Sequence, residues 1–495
     1  MLEHNYGGPT AVQSFAIMSD ALKMAPGQDK HTDGGKLVLA CSSSPSLSSA
    51  HPEKLAIKYL PYSPFSNRRK MTIVLVIAVS ALISPLAANT YYPAIHETQR
   101  ELHTSKGGID ATIQAVFPLL WSVFSDNFGR RFVYLGSLMV FIAGSAGCAG
   151  LKNLAGMIVC RIIQACGASA VQGSGAGTIA DIYERERRGT ALGLYCLGPL
   201  FGTSLAPLIG GFCAEKLGFR WIFWILAIFG ETHRRAMSEK YDTQPINIPV
   251  KRSLIGKRSN PLRAIKLLKL PNVSIVCFQI AMSFGILYGL ASINATAIED
   301  IYNLSPGQTG LGYIGMGGGN IIGAFVGGRV TDLQIRREQR QIKPATVETG
   351  GITSPQSPGR SPEIRIASSW VGGLVLLAGT LMNGWFIQKR VHLAGVIIAQ
   401  FMIGVGTSFQ FNQMCSYFVD LFPTSAASIT SVQNLVRNSW TGACIELLPT
   451  MTTSINWGPT FTIFAGLALV GSVLVEIAAI KGEYIRQRFH FSPKL

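Results

Sequence analysis

Residues 154–179 read LAGMIVCRIIQACGASAVQGSGAGTI, a stretch in which Arg161 is the one charged side chain. Coiled as a helix at about 1.5 Å per residue, it is long enough to cross a hydrocarbon core about 30 Å thick. It is too long for a strand of a membrane barrel, so the class it indicates is helical. A permanently charged guanidinium in such a run costs a few kcal/mol on insertion scales unless it meets water or a partner. Arg161 follows Leu154 by seven residues, about 10 Å, which is deep for a side chain that only snorkels to the surface. The expectation is a charge facing the interior of a helical bundle, with a part in coupling or in substrate binding.

The same pattern recurs on both sides of this stretch. Twelve candidate spans follow residue 70: Met71–Tyr92, Ile109–Phe124, Phe132–Gly150, Leu154–Ile179, Thr190–Phe212, Trp221–Gly230, Val273–Ile298, Thr309–Val330, Ser369–Ile387, Leu393–Tyr417, Ser425–Leu448 and Gly458–Ile480. Composition agrees, with 48% hydrophobic and only 14% charged residues. Two spans are short. Ile109–Phe124 reaches about 24 Å and Trp221–Gly230 about 15 Å, and the second cannot cross a bilayer by itself. Removing it from the count would place a strongly basic loop outside and reverse every later span, so both are read as shortened members of a twelve-helix plan.

The net charge of +17 is a topology signal before it is a sign of nucleic acid. With the N-terminus placed in the cytosol, 34 of the 43 Lys and Arg fall on the inner side and 7 on the outer side, while Arg161 and Arg437 lie within spans. Both termini are therefore expected in the cytosol. The domains that follow are a disordered tail over 1–69, a six-helix half over 70–230, a basic cytosolic loop over 231–270, a second six-helix half over 271–480 and a tail over 481–495. The loop Leu333–Ser368, rich in proline and charge, reads as flexible and without function. Nine cysteines lie mostly inside spans without CxxC or Cys/His spacing and read as small packing residues.

Between the second and third spans stands Asp126-Asn-Phe-Gly129-Arg130-Arg131, and at the corresponding place in the second half Gly327-Gly-Arg329-Val-Thr-Asp332. Each reads either as a topogenic loop with an exposed ion pair or as a gate, and the repeat tilts the reading toward gating. The fifth span carries Gly198, Pro199, Gly202, Pro207, Gly210 and Gly211, which together allow close packing and bending. Gly315, Gly317, Gly318, Gly319 and Gly323 of the eighth span have a packing reading only.

The Asp126–Arg131 loop resembles the major facilitator superfamily signature, approximately Gly-x-x-x-Asp-x-x-Gly-Arg-Arg, with Ser122 in place of its first glycine. Three further stretches resemble the fungal drug:proton antiporters of that superfamily. They are Arg161-Ile-Ile-Gln164 with Gly167, Gly198-Pro199-Leu-Phe-Gly202 continuing to Gly211, and Tyr417-Phe-Val-Asp420-Leu-Phe-Pro423 followed by Asn434-Leu-Val-Arg437, the last as in the multidrug (quinidine-resistance-like) branch. The resemblance covers residues 68–490. It implies a twelve-helix major facilitator fold of two six-helix halves, an arginine that influences proton release from a nearby carboxylate, and an antiporter motif that restricts leak.

The nearest acids to a membrane interior are Glu446 and Asp110, candidates for the proton carrier, although Glu446 can equally lie at the outer interface. Asn89, Tyr91, Gln164, Tyr288, Asn294, Gln410, Asn412, Asn434 and Arg437 are candidates for a cavity suited to a moderately apolar, even cationic, organic substrate. No nucleotide loop, metal cluster or nucleophile triad is seen by spacing, so neither an enzyme nor a cofactor or metal site is expected. The expected protein is a monomeric multi-pass transporter in the plasma membrane, or in a vacuolar or other internal membrane. It exports small organic compounds such as drugs, toxins or secondary metabolites in exchange for protons. The alternatives are a proton-coupled nutrient, polyamine or organic-acid carrier, and a degenerate paralogue that transports nothing.

Overall fold

A backbone inside a bilayer must satisfy its own hydrogen bonds, which leaves a chain of this composition little choice but helices. The computed structural model describes residues 36–37, 59–60, 65–90, 121, 124–125, 130–151, 153–242, 265–302, 304, 308, 310, 312–341, 362–422 and 425–488. The chain divides into two units, Met1–Pro64 and Phe65–Leu495. In the first, β1 (Lys36–Leu37) pairs antiparallel with β2 (Tyr59–Leu60), Lys36 opposite Leu60. The second unit is a helical bundle.

Its described helices are α1 (Asn67–Asn89), α2 (Arg130–Gly150), α3 (Leu154–Ala168), α4 (Ala170–Ile182), α5 (Arg185–Lys216) and α6 (Arg220–Asp242), then α7 (Pro271–Tyr302), α8 (Ile314–Gln341), α9 (Ser369–Gln388), α10 (Leu393–Leu421), α11 (Ala426–Ile455) and α12 (Trp457–Arg488). The pair α3 and α4 are two parts of the fourth span, divided at Ser169. The second expected span lies outside the described residues apart from Trp121 and Phe124; Trp121 Nε1 donates to the Cys166 carbonyl of α3 at 2.8 Å. Among the described residues eight helical segments have both the length and the apolar composition to cross a membrane. The three others, α6, α8 and α11, have 23, 28 and 30 residues.

The sixth span shows how a ten-residue apolar run becomes a full-length helix. Beyond Gly230 the coil continues as a polar segment held by Glu231, which accepts from Arg234 Nε at 2.8 Å and from Arg235 Nε at 2.7 Å, one turn further along. The helix is then about 34 Å long at the usual rise. Its apolar part is short, and its backbone is not.

Small residues set the closest helix pairs. A Cβ on Gly198 of α5 would lie 2.0 Å from the Ala78 carbonyl oxygen of α1, and one on Gly210 would lie 2.0 Å from that of Thr90. Along α8, Gly315, Gly319 and Gly323 face the Ile397, Phe401 and Val405 carbonyls of α10, one step of four residues after another. Such stripes let backbones meet where lipid supplies no hydrophobic drive for association. In the first half α1 packs on α5 and α2 on α3 and α6; in the second, α8 and α9 pack on α10, and α7 on α11 and α12. Among the described residues the halves meet chiefly through α5 with α8 and α4 with α11. Polarity is inverted relative to a water-soluble fold: Gln279, Asn320, Gln400 and Asn412 are fully buried, while Trp370, Leu374, Ile477 and Ile480 stay exposed on outer faces.

A buried arginine cluster and a charge clamp between the two halves

Midway along the bundle, four helices from both halves bring polar and aromatic groups together. Arg437 lies about eleven residues, or about 16 Å, into α11, and Gln172 lies about ten residues, or about 15 Å, before the end of α4. Arg437 Nη2 donates to Gln172 Oε1 at 2.9 Å, and Asn434 Nδ2 donates to the Gln172 carbonyl at 3.0 Å. The guanidinium carbon stands 4.7 Å from the Phe284 ring centre of α7 and 5.8 Å from that of Phe411 of α10. Tyr288, one turn beyond Phe284, stacks on it with centroids 5.9 Å apart. Arg437 is 4% exposed, so its charge has left bulk water. At the centre of a span that costs about 2.5–3.5 kcal/mol on insertion scales, which neutral amide oxygens and ring faces offset in part.

At the basic end of the bundle, where α5 begins and α8 and α10 end, a second cluster is fully ionic. Asp420 of α10 takes Arg188 Nη1 of α5 on one oxygen at 2.8 Å and Arg365 Nε on the other at 2.8 Å. Arg365 also reaches Asp332 of α8 at 3.3 Å through Nη1. Asp332 in turn accepts from the backbone N–H groups of Gly189 at 2.9 Å and Thr190 at 2.8 Å, and from the Thr190 hydroxyl. The side chains of Asp420 and Arg365 are wholly buried and those of Arg188 and Asp332 nearly so. Charges at this depth persist because each acid meets a planar guanidinium or a helix start that matches it. The cluster ties the first half to the second at two points.

The residues singled out by sequence divide among several places. The contacts described for Arg161 lie in the first half: its Nη1 donates to the Ala87 carbonyl of α1 at 3.0 Å and to Gln164 Oε1 at 3.1 Å, and its guanidinium faces Phe223 of α6 at 5.3 Å. Gln164 passes the chain on to Ser145 of α2 at 2.9 Å. Of the candidate proton carriers, Glu446 is on an exposed face of α11 rather than in the interior, and Asp110 lies outside the described residues. So do Asp126, Gly129 and Tyr91. Arg130 donates to Ser125 Oγ at 2.8 Å and stands 3.6 Å from Asp181, whereas Arg131 is exposed. In the second-half echo Asp332 joins the clamp, but Arg329 does not; it is exposed and stacks on Phe325 at 3.8 Å.

Gly198, Gly202 and Gly210 all face α1, with Pro199, Pro207 and Gly211 buried on the same helix. Asn89 and Asn294 are buried with neither amide atom hydrogen-bonded among the described residues. Gln410 forms a polar knot inside the second half with Gln279 at 3.0 Å and Ser472 at 3.2 Å, and Asn412 donates to the Ala324 carbonyl at 3.0 Å. Neither is part of the arginine cluster. Sequence reasoning missed Gln172 and three clamp residues, Arg188, Arg365 and the functional weight of Asp420. Arg365 sits in the loop Leu333–Ser368, expected to be without function; its end, Pro362–Ile366, is instead a buried turn wedged between α8 and α10. The signal available was Asp420 within the Tyr417–Pro423 stretch, an acid at a span end with no base beside it in sequence.

A family model described as Major Facilitator Superfamily matches residues 77–443. The chain belongs to this superfamily. Relatives within it include the MFS-type transporter hepF of Aspergillus oryzae, 30% identical over 460 residues that cover 87% of this chain and 92% of the relative. Citrate exporter 1 of Aspergillus niger is 26% identical, with 91% of each covered. Among solved structures, the human organic anion transporter MFSD10 (TETRAN) superposes with a TM-score of 0.56 at 15% identity, covering 83% of this chain and 100% of that one, which shows the shared fold. A superfamily member with such relatives is a multi-pass membrane transporter rather than an enzyme. The twelve-helix major facilitator plan of the sequence reading stands with it.

Proposed function

We propose that the protein exports a small organic compound by alternating access, driven by the proton gradient. The observation that carries this reading is the placement of the Arg437–Gln172 cluster at the mid-level seam between two halves that an ionic clamp joins at one end. The excess of Lys and Arg on that side supports a clamp end turned to the cytosol, and the joined clamp then supports a carrier state closed on that side. Moving to the opposite state requires Arg188 to leave Asp420 and Asp332 to leave the start of α5. Fungal relatives named as transporters and as a citrate exporter support export of a metabolite as the direction and class.

The test is efflux of a labelled compound panel from pump-deficient yeast expressing the full chain, with and without a protonophore. Efflux that stops with the protonophore supports the reading. Uptake driven by an inward proton gradient would replace export by nutrient import, and efflux indifferent to the protonophore would remove the proton from the mechanism.

A further inference from the structure

Resting on the transporter reading above, we infer that the substrate is a small organic anion of the carboxylate type, held at mid-membrane by Arg437 as its counter-charge. The first ground is charge balance. Three of the buried acids among the described residues are matched by their own bases: Asp420 by Arg188 and Arg365, Asp332 by Arg365, Glu363 by Arg486 at 2.9 Å. Among the described residues Arg437 has only neutral acceptors, Gln172 Oε1 at 2.9 Å and Asn438 Oδ1 at 3.2 Å. A guanidinium cannot shed its proton inside a protein, so the described residues of the mid-level seam keep a net positive charge.

The second ground is the geometry of that guanidinium. Nη2 and Nε carry hydrogen bonds, while Nη1 makes none among the described residues. A carboxylate that takes Nη1 and Nη2 together would replace Gln172 Oε1 with the fork that an arginine edge fits best. The third ground is what surrounds it. Phe284 and Phe411 flank the charge and Tyr288 continues the ring surface, which suits an apolar or aromatic body attached to the acid. A cationic substrate, compatible with the aromatic groups when they are considered alone, would meet a like charge at the same place. The Gln172 bond also crosses from one half to the other, so an anion arriving at Arg437 would compete with a contact that links the halves.

The experiment uses the full-length protein in lipid nanodiscs and measures the shift in thermal unfolding with a panel of aromatic and aliphatic carboxylates, each paired with its carboxamide and its amine. Carboxylates are expected to stabilise the wild type and their amides and amines to have little effect. Arg437→Gln is expected to bind the effective carboxylate roughly thirtyfold or more weakly, and Arg437→Lys to retain part of the affinity. Equal or better stabilisation by amines, no stabilisation by any carboxylate, or carboxylate binding that survives in Arg437→Gln would each overturn the inference. The wild-type comparison alone decides it if Arg437→Gln does not fold. Flux of the same compounds in proteoliposomes separates the two layers: flux of amines without carboxylates removes the anion and leaves the transporter, whereas carboxylate binding without flux does the reverse.

Discussion

Arg188 and Asp420, 232 residues apart in the chain and on helices of opposite halves, meet at 2.8 Å with both side chains all but excluded from solvent. Breaking a buried pair costs about 3–5 kcal/mol where the partner left behind is an isolated charge, and less where a second base stays in place, as Arg365 does on Asp420. Arg188→Gln and Asp420→Asn are therefore expected to shift the protein away from the clamped state and to cut transport, with abundance near normal. Spin-label distances between the start of α5 and the end of α10 would report it. The double variant Arg188→Met with Asp420→Leu should be milder than Asp420→Asn alone, because Arg188 no longer stays behind as a buried charge while Arg365 still meets Asp332. Unchanged distances in both single variants would rule out the clamp.

The clamp also shows where sequence stops being informative. Long apolar runs announce spans because a bilayer imposes a length, and α1, α2, α5, α7, α9 and α10 fall close to where those runs place them. The sixth helix differs because its polar end is stabilised by Glu231 and two arginines one turn away rather than by lipid. Arg188 and Arg365, by contrast, stand in charged loops that look like ordinary topogenic segments. Only tertiary packing brings Asp420 between them. Arg437 was visible as a charge in a span, yet its lack of an acid partner among the described residues is a property of the assembled seam.

Gly198 and Gly210 test the α1–α5 contact. An added Cβ would stand 2.0 Å from the Ala78 carbonyl oxygen of α1 at Gly198 and 2.0 Å from that of its C-cap residue Thr90 at Gly210, and backbone cannot step aside as a flexible side chain can. Gly198→Ala and Gly210→Ala are each expected to destabilise by about 1–3 kcal/mol, the usual range for overpacking. Gly136→Ala and Gly466→Ala meet nothing within 4 Å and serve as controls, expected to be neutral or slightly stabilising through helix propensity. The readout is thermal unfolding of purified protein. Equal stability of all four variants would mean that α1 and α5 are not in backbone contact.

The polar end of α6 has a pH signature. Hydrogen bonds from Arg234 and then Arg235 hold the Glu231 carboxyl at about 2, below its ordinary 4.5. A carboxylate depressed in the folded state contributes stability that is present above its unfolded value and is lost as pH falls through the folded one. The thermal difference between wild type and Glu231→Gln should thus be constant above pH 4.5 and shrink as pH falls toward 2. It should also be small and weakened by salt, as for other exposed pairs. A difference that grows on acidification would contradict the assignment.

Arg161 asks whether shape or charge matters. Its guanidinium bonds the Ala87 carbonyl of α1 and Gln164 within its own helix, and lies against Phe223 of α6, so it joins three helices of the first half. Lysine keeps the charge and loses the planar fork that satisfies two acceptors from one nitrogen plane. Arg161→Lys is expected to insert and fold at near-normal levels, because the net charge of the span is unchanged, yet to slow transport by roughly tenfold or more, as loss of one charge-assisted hydrogen bond worth about 1.5–3 kcal/mol would do. Flux per inserted molecule in proteoliposomes is the measurement. Full activity in Arg161→Lys would reduce Arg161 to a generic cation, and a loss of insertion would make its role structural. A loss of flux with normal insertion would leave the arrangement of α1, α3 and α6 around this side chain as part of the working cycle.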